Sequence, residues 1–340
     1  MKIGLTLGKY APLHQGHQLV IDTALSEMDR VIVIIYDAPE TTSCPLPVRA
    51  AWIRKLYPNV EIIEAWDGPT TVSDAPDMMK IHEEYILRVL KGRTITHFYS
   101  SEFYGDHVSK ALGAVDRRID PQRRMIPISA TAIRNDPFSN RKYLSPLVYS
   151  ELITRIVFLG APSTGKSTLA EKLASVYSTV WMPEFGRDYW EKNHVDRRLT
   201  LEQLVEIAVG HRDHEESLTL DANRYMFIDT DATTTFMFSL YYHEAVHPRL
   251  VEMSNETIQR YDLFFFCEDD IPYDDTWDRS GELNRAIFQK QIRADLLRRK
   301  IPFISLSGSL NERVAIVKGV LDDFDKFQSL GNNMLKRRWI

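Results

Sequence analysis

RIVFLGAPSTGKST, Arg155 to Thr168, is an apolar run that breaks into a glycine loop and leaves as a helix. The stretch Gly160–Ser167 satisfies G-x-x-x-x-G-K-[ST] in the strand–loop–helix context that gives the motif its meaning. Backbone N–H groups of Gly160, Ser163, Thr164, Gly165 and Thr168 are candidates to cradle nucleotide phosphates. Lys166 would bridge the β- and γ-phosphates, and the Ser167 hydroxyl would ligate Mg²⁺. A loop of this kind needs a parallel sheet to hold it, so it decides the fold of the second half of the chain.

The segments that follow agree with that reading. YMFIDTDATTT (Tyr225–Thr235) is a strand ending in acids. Asp229 is placed like a carboxylate that orders the magnesium shell, with Asp231 a weaker candidate. MPEFGRDYW (Met182–Trp190) follows another expected strand and brings Glu184, Arg187 and Asp188 to the loop's edge. Either carboxylate is a candidate base for a substrate hydroxyl, Glu184 before Asp188, or part of a structural ion pair. WDRSGELNR (Trp277–Arg285) offers Arg279 and Arg285 as cations for a transferred phosphoryl group, or is a solvated charged loop.

Upstream, the same strand-then-helix alternation starts at the N-terminus. Strands are expected at Lys2–Leu7, Val31–Tyr36, Val60–Ala65 and His97–Ser100, and later at Tyr225–Ile228, Leu263–Cys267 and Pro302–Leu306. Helices are expected at His17–Met28, Pro47–Leu56, Asp77–Leu90 and from Lys166 to about Tyr177. Alternation of this type argues for two doubly wound α/β domains with parallel sheets, joined near residue 150 through YLSPLVYSEL. After the first strand comes GKYAPLHQGHQ, Gly8–Gln18. Gly8 permits close approach, Gly16 opens a helix with free N–H groups, and His14 and His17 project from the bend toward the same anion. Each histidine can donate to a phosphate whose charge grows in transfer, or simply cap the helix. ISATAIR, Ile128–Arg134, adds Ser129, Thr131 and Arg134 at a second helix start. Arginine suits bidentate phosphate contact.

The 340 residues exceed one ordinary core and read as two domains. With 44% hydrophobic and 26% charged residues and a net charge of −5, nothing marks a basic nucleic-acid binder. Two widely spaced cysteines, no apolar run of 18 residues and no signal-peptide pattern lead to the expectation of a cytoplasmic protein with no membrane or nucleic-acid partner. A homo-oligomer is left open.

GxYxPxHxGH together with ISxTxxR resembles the signature of the HxGH nucleotidyltransferase superfamily. The resemblance implies that the first motif binds the α-phosphate of ATP and the second the β- and γ-phosphates. Joined to a P-loop kinase, the chain resembles the NadR-type bifunctional enzymes, also through PLPVRAAWIRKLYP, SSEFYG, PEFGRDY and IDTD. That implies an adenylyltransferase for nicotinamide mononucleotide (NMN) in residues 1–150 and a ribosylnicotinamide kinase in 151–340, with ATP as co-substrate and Mg²⁺ as cofactor. Nicotinamide riboside, NMN and NAD are then the small-molecule partners. Some such proteins carry a helix-turn-helix domain first; Met1 leads straight into a strand here, so no DNA-binding role is carried over. Lys9 stands where many superfamily members have arginine. Trp66 is either a stacking face for the nicotinamide ring or a core side chain, and Arg49 either a phosphate ligand or cover for its helix. The rival reading is an HxGH adenylyltransferase with another acceptor, fused to a P-loop nucleotide-sensing domain.

Overall fold

The computed structural model describes residues 1–71, 75–102, 104–195, 199–273 and 282–327, without the side chains of 282 and 283. The chain divides into two compact units, Met1–Tyr149 and Ser150–Lys326. Of the segment expected to complete the second domain, residues 328–340 lie outside the described set.

The first unit runs β1 (Ile3–Gly8), α1 (Gln15–Glu27), β2 (Arg30–Tyr36), α2 (Leu46–Leu56), β3 (Glu61–Ala65), α3 (Pro76–Leu90), β4 (His97–Ser100), α4 (Gly105–Leu112), β5 (Val115–Arg118) and α5 (Ala130–Asn135). A further helix, α6 (Pro146–Leu152), spans the division between units. The sheet order is β3-β2-β1-β4-β5, and every pairing is parallel. Val31 to Tyr36 are all buried, as a strand covered on both faces requires. Strand order reverses between β1 and β4, and ligands of open α/β sheets bind at such a switch point, outside the strands' carboxyl ends.

The second unit contains β6 (Thr154–Leu159), α7 (Lys166–Tyr177), β7 (Trp181–Met182), α8 (Phe185–Asn193), α9 (Leu201–Thr219), β8 (Tyr225–Asp229), α10 (Ala232–His243), α11 (Pro248–Arg260), β9 (Leu263–Cys267), α12 (Glu282–Arg298), β10 (Ile304–Leu306) and α13 (Leu310–Asp323). Its parallel order is β10-β9-β6-β8-β7. Here β6 sits between β8 and β9, so the acidic end of β8 lies beside the loop that leaves β6. Phe158, Phe227 and Phe265 from these three strands stack in the core with ring centroids 5.8 and 6.3 Å apart.

The strands and helices expected from the sequence are present to within about two residues. β5 was not expected. Its sequence, VDRR, holds one apolar residue, and its polar side chains are taken up in ion pairs: Arg117 with Glu27, and Arg118 with Asp116. A pattern search for apolar alternation has nothing to find there.

Candidate functional site

In the first unit, the bend between β1 and α1 is shaped by His14. Its Nδ1 accepts from the Gly16 N–H at 3.1 Å and so caps α1. With Nδ1 as acceptor, the ring proton resides on Nε2, which is left as a donor. Capping and anion contact are therefore compatible roles for one histidine. His17 stacks on His14 with ring centroids 3.8 Å apart and meets Tyr10 edge-on at 4.9 Å. A Cβ on Gly16 would lie 3.0 Å from His14 Cε1, so glycine there protects the cap. Burial and the Arg123 guanidinium lower His14 to about 4. Burial, His14 and Arg123 together hold His17 well below the usual imidazole range. Both shifts favour the neutral ring near pH 7.

Arg134 brings the two motifs together. Its Nη1 donates to the Ala11 carbonyl at 2.7 Å and its Nη2 to Thr131 Oγ1 at 3.0 Å. The Ser129 hydroxyl caps α5 by accepting from Ala132 N–H. Lys9 is drawn to the rim by Glu40 and Thr41, at 2.7 and 2.9 Å. Gly8 closes β1, and a Cβ there would touch the Tyr10 ring at 3.4 Å, an ordinary contact.

Two expectations are corrected. Arg49 does not cover a helix surface: it is fully buried, and its guanidinium donates to the carbonyls of Cys44 and Tyr36 (each 2.9 Å) and of Lys9, and to Asp37 Oδ1. Its role is to tie the β1 loop to the end of β2. Trp66 is not in the core: it is 58% exposed, with Nε1 donating to Glu64.

In the second unit the glycine loop has the backbone its motif demands. Gly160, Ser163 and Gly165 have φ of 138°, 60° and 80°. At Gly160 a Cβ would lie 2.7 Å from the Cys267 carbonyl, so only glycine fits. Lys166 is buried, and its ammonium donates to the Ala161 carbonyl at 2.9 Å, as does Thr164 Oγ1 at 2.8 Å. Thr168 is exposed on the first turn of α7. Ser167 Oγ donates to Asp229 Oδ2, while Asp229 Oδ1 is buried with no hydrogen-bond partner. Burial raises the Asp229 carboxyl to about 6; Lys166 opposes the rise and Glu184 adds to it. A hydroxyl and a carboxylate with one oxygen unspent fit a hard cation that takes its remaining ligands from water and phosphate.

Glu184 is close enough to Asp229 to influence its charge, and Arg187 lies 3.9 Å from Glu184. Asp188 is exposed on α8. Asp231 is not part of the cation site. It is a buried N-cap of α10, with Oδ1 accepting from the Thr233 and Thr234 N–H groups and Oδ2 from Thr257 Oγ1. Arg285 is neither a solvated loop residue nor an extended cation. It is buried, donates to the carbonyls of Asp269 and Ile271, and has the Tyr273 ring 5.6 Å away. Arg279 lies outside the described residues.

Several residues at this site gave no sequence signal. Arg313 of α13 is buried and donates to the Thr164 carbonyl at 2.6 Å, to Gly308 and Glu268 carbonyls, and to Asp270. Phe238, Tyr241, Tyr242, Tyr273 and Phe288 wall a small cavity that opens on Pro162 of the loop. The spacing of these aromatics reads as a helix face, and only the fold makes it a cavity. In the first unit, Arg123 and its field on both histidines were equally silent.

Two α/β units, each with a phosphate-binding loop at the carboxyl edge of a parallel sheet, define a two-site nucleotide-handling protein. Residues 5–136 match the cytidylyltransferase-like family, and residues 155–313 match the AAA domain family. The chain is 27% identical over 321 residues to the trifunctional NAD biosynthesis/regulator protein NadR of Escherichia coli (strain K12), covering 89% of this chain and 78% of that one. It is 28% identical over 325 residues to the protein of the same description from Salmonella typhimurium (strain LT2), with the same coverage. A crystal structure of NadR protein in complex with NAD and AMP-PNP shares the fold over 94% of this chain and 95% of its own, with a TM-score of 0.56 and 21% identity. A second, of NadR protein in complex with NR, has the same TM-score and 22% identity. Over most of its length the chain is similar to the NadR proteins, with a cytidylyltransferase-like domain followed by a P-loop kinase-type domain. Among the described residues, no helix is long and apolar enough to cross a membrane.

Proposed function

We propose that the chain makes NAD in two ATP-dependent steps, one in each unit. In residues 151–340 the 5′-hydroxyl oxygen of nicotinamide riboside attacks the γ-phosphorus of ATP. The bond from that phosphorus to the β-phosphate oxygen breaks, giving NMN and ADP. Glu184 is the group that takes the hydroxyl proton, with Asp188 the second choice. Lys166 neutralises charge on the β- and γ-phosphates, and the loop amides position them. Ser167 and Asp229 would hold Mg²⁺, which supplies charge neutralisation at the phosphates.

In residues 1–150 a phosphate oxygen of NMN attacks the α-phosphorus of a second ATP in line, and pyrophosphate leaves. His14 and His17 donate to the α-phosphate oxygens as charge develops, while Arg134, Ser129 and Thr131 face the departing phosphates. No covalent intermediate on the protein is needed; orientation and preorganised donors do the work. Trp66, with its face open, offers a surface on which a cationic nicotinamide ring can stack.

The observation that carries this reading is that both phosphate-binding sequence motifs occur in one chain whose relatives are described as NAD biosynthesis proteins. The test is incubation of the chain with nicotinamide riboside and MgATP, with NMN, NAD, ADP and pyrophosphate followed by mass spectrometry. NMN rising first and NAD after it supports the proposal. ADP formation with no NMN, or pyrophosphate release only with another acceptor, favours the rival pairing.

A further inference from the structure

Gln289 lies on α12, more than one hundred residues from the glycine loop in sequence, yet its side chain is 4% exposed and faces that loop. Its Oε1 accepts from the Ala161 N–H at 2.7 Å, and its Nε2 donates to the Cys267 carbonyl at 2.8 Å. The amide can sit in only one orientation. Turned over, its oxygen would face the Cys267 oxygen and its NH₂ would face the Ala161 N–H, losing both bonds. Both partners are fully buried, so each would otherwise be a polar group without water.

Ala161 is also the residue on which Lys166 rests. Its N–H goes to Gln289, and its carbonyl accepts the Lys166 ammonium at 2.9 Å. One residue thus has its donor fixed by α12 and its acceptor fixed by the loop lysine. The preceding bend at Gly160 is squeezed between the same two groups, with the Cys267 oxygen 2.7 Å and Gln289 Oε1 3.4 Å from the place a Cβ would take. The alternative, that Gln289 only fills the space between α12 and β9, leaves its double pairing across the loop without a consequence for phosphoryl transfer.

We propose that Gln289 is a positioning residue for phosphoryl transfer: through Ala161 it sets the entrance of the phosphate loop and the resting place of the Lys166 ammonium. Gln289 touches no substrate atom in this scheme and acts through the loop. The inference rests on the reading of the second unit as a kinase, and its test separates the two.

The test compares the full chain with Gln289→Leu, which keeps bulk and removes both polar atoms, and Gln289→Glu, which keeps the acceptor facing Ala161. The first measurement is amide hydrogen exchange in peptides covering the loop, with no substrate present. Exchange at the Ala161 amide is expected to rise by at least ~10-fold in the Leu variant and less in the Glu variant. The second is steady-state phosphorylation of nicotinamide riboside. The Leu variant is expected to lose ~10-fold in kcat with the KM for MgATP within a factor of about two, because Lys166 works chiefly on the transition state. The Glu variant should fall between. Purely structural loss would lower the folded fraction and leave kcat per folded molecule unchanged. Unchanged exchange at Ala161 overturns the clamp; raised exchange with unchanged kcat overturns the positioning role. If the Leu variant fails to fold, the Glu variant decides by the same two criteria. If the unsubstituted chain leaves the riboside untouched, the kinase reading falls, and the exchange measurement still decides whether Gln289 holds the loop.

Discussion

The two loops proposed to hold phosphate would solve one problem with opposite materials. The loop after β6 works through its backbone: three left-handed φ values in six residues and a glycine that only glycine can replace. The loop after β1 has one left-handed residue, Tyr10, and works through side chains: stacked His14 and His17, and Arg134 arriving from α5. A backbone cradle accepts phosphate wherever glycine lets the amides converge. A side-chain cradle is assembled from segments more than one hundred residues apart and exists only in the folded sheet. The lysine of the first kind is buried against its own loop, whereas the arginine of the second is held by a carbonyl of the loop it complements.

That contrast can be broken at its strongest point by Lys166→Ala. Lys166 is the sole cation in the Gly160–Thr168 loop, so its removal should lower conversion of nicotinamide riboside to NMN by ~10³-fold, with NMN supplied directly still converted to NAD. Product quantification by mass spectrometry reads both steps, and wild-type phosphorylation by the variant would show that the second unit is not the kinase. His17→Ala is the counterpart. It should cost ~10²–10³-fold in NAD formation from NMN and nothing in ADP formation from the riboside. Near-normal adenylyl transfer would return His17 to a helix-start role.

Acid sharpens the comparison further. Asp229 is raised to about 6, so it takes up a proton at a higher pH than an ordinary carboxyl; it is ionised above about 6 and neutral below. Riboside phosphorylation should therefore fall ~10-fold between pH 7 and pH 5, as a proton takes the carboxylate oxygen proposed to hold a cation. In the first unit His14, lowered to about 4, is still neutral across that interval, so initial rates of adenylyl transfer should hold. Parallel loss in both reactions would contradict the distinction. The smallest effect is expected for Gly16→Ala. Alanine is the better helix former, but its Cβ would displace the His14 ring from 3.0 Å. Adenylyl transfer should drop about threefold, with thermal stability little changed because the helix gain of alanine offsets the disturbed cap.

The same contrast explains what could be read from the chain. Glycines forced by backbone geometry, the buried run at β2 and the acids ending β8 all carry their reason locally, and they placed both sheets and both loops. β5 could not be read because its stabilisation is by ion pairs rather than apolar burial. Arg49, Gln289 and Arg313 could not be read because a buried polar side chain that hydrogen-bonds to distant carbonyls leaves no periodic trace. Asp231 shows the converse: an acid two residues from the proposed cation ligand looks like a second such ligand in sequence, yet its oxygens are consumed in capping α10 and tying down Thr257.

The most direct test of two self-sufficient sites is to mix chains that each lack one of them. Lys166→Ala and His17→Ala proteins are incubated together with nicotinamide riboside and MgATP, and NAD is followed with time. The expected result is NAD formation after a lag in which free NMN accumulates, although neither variant alone makes NAD from the riboside at an appreciable rate. A mixture that stays silent, while each variant retains its remaining single activity, would contradict the separation of the two chemistries into independent units.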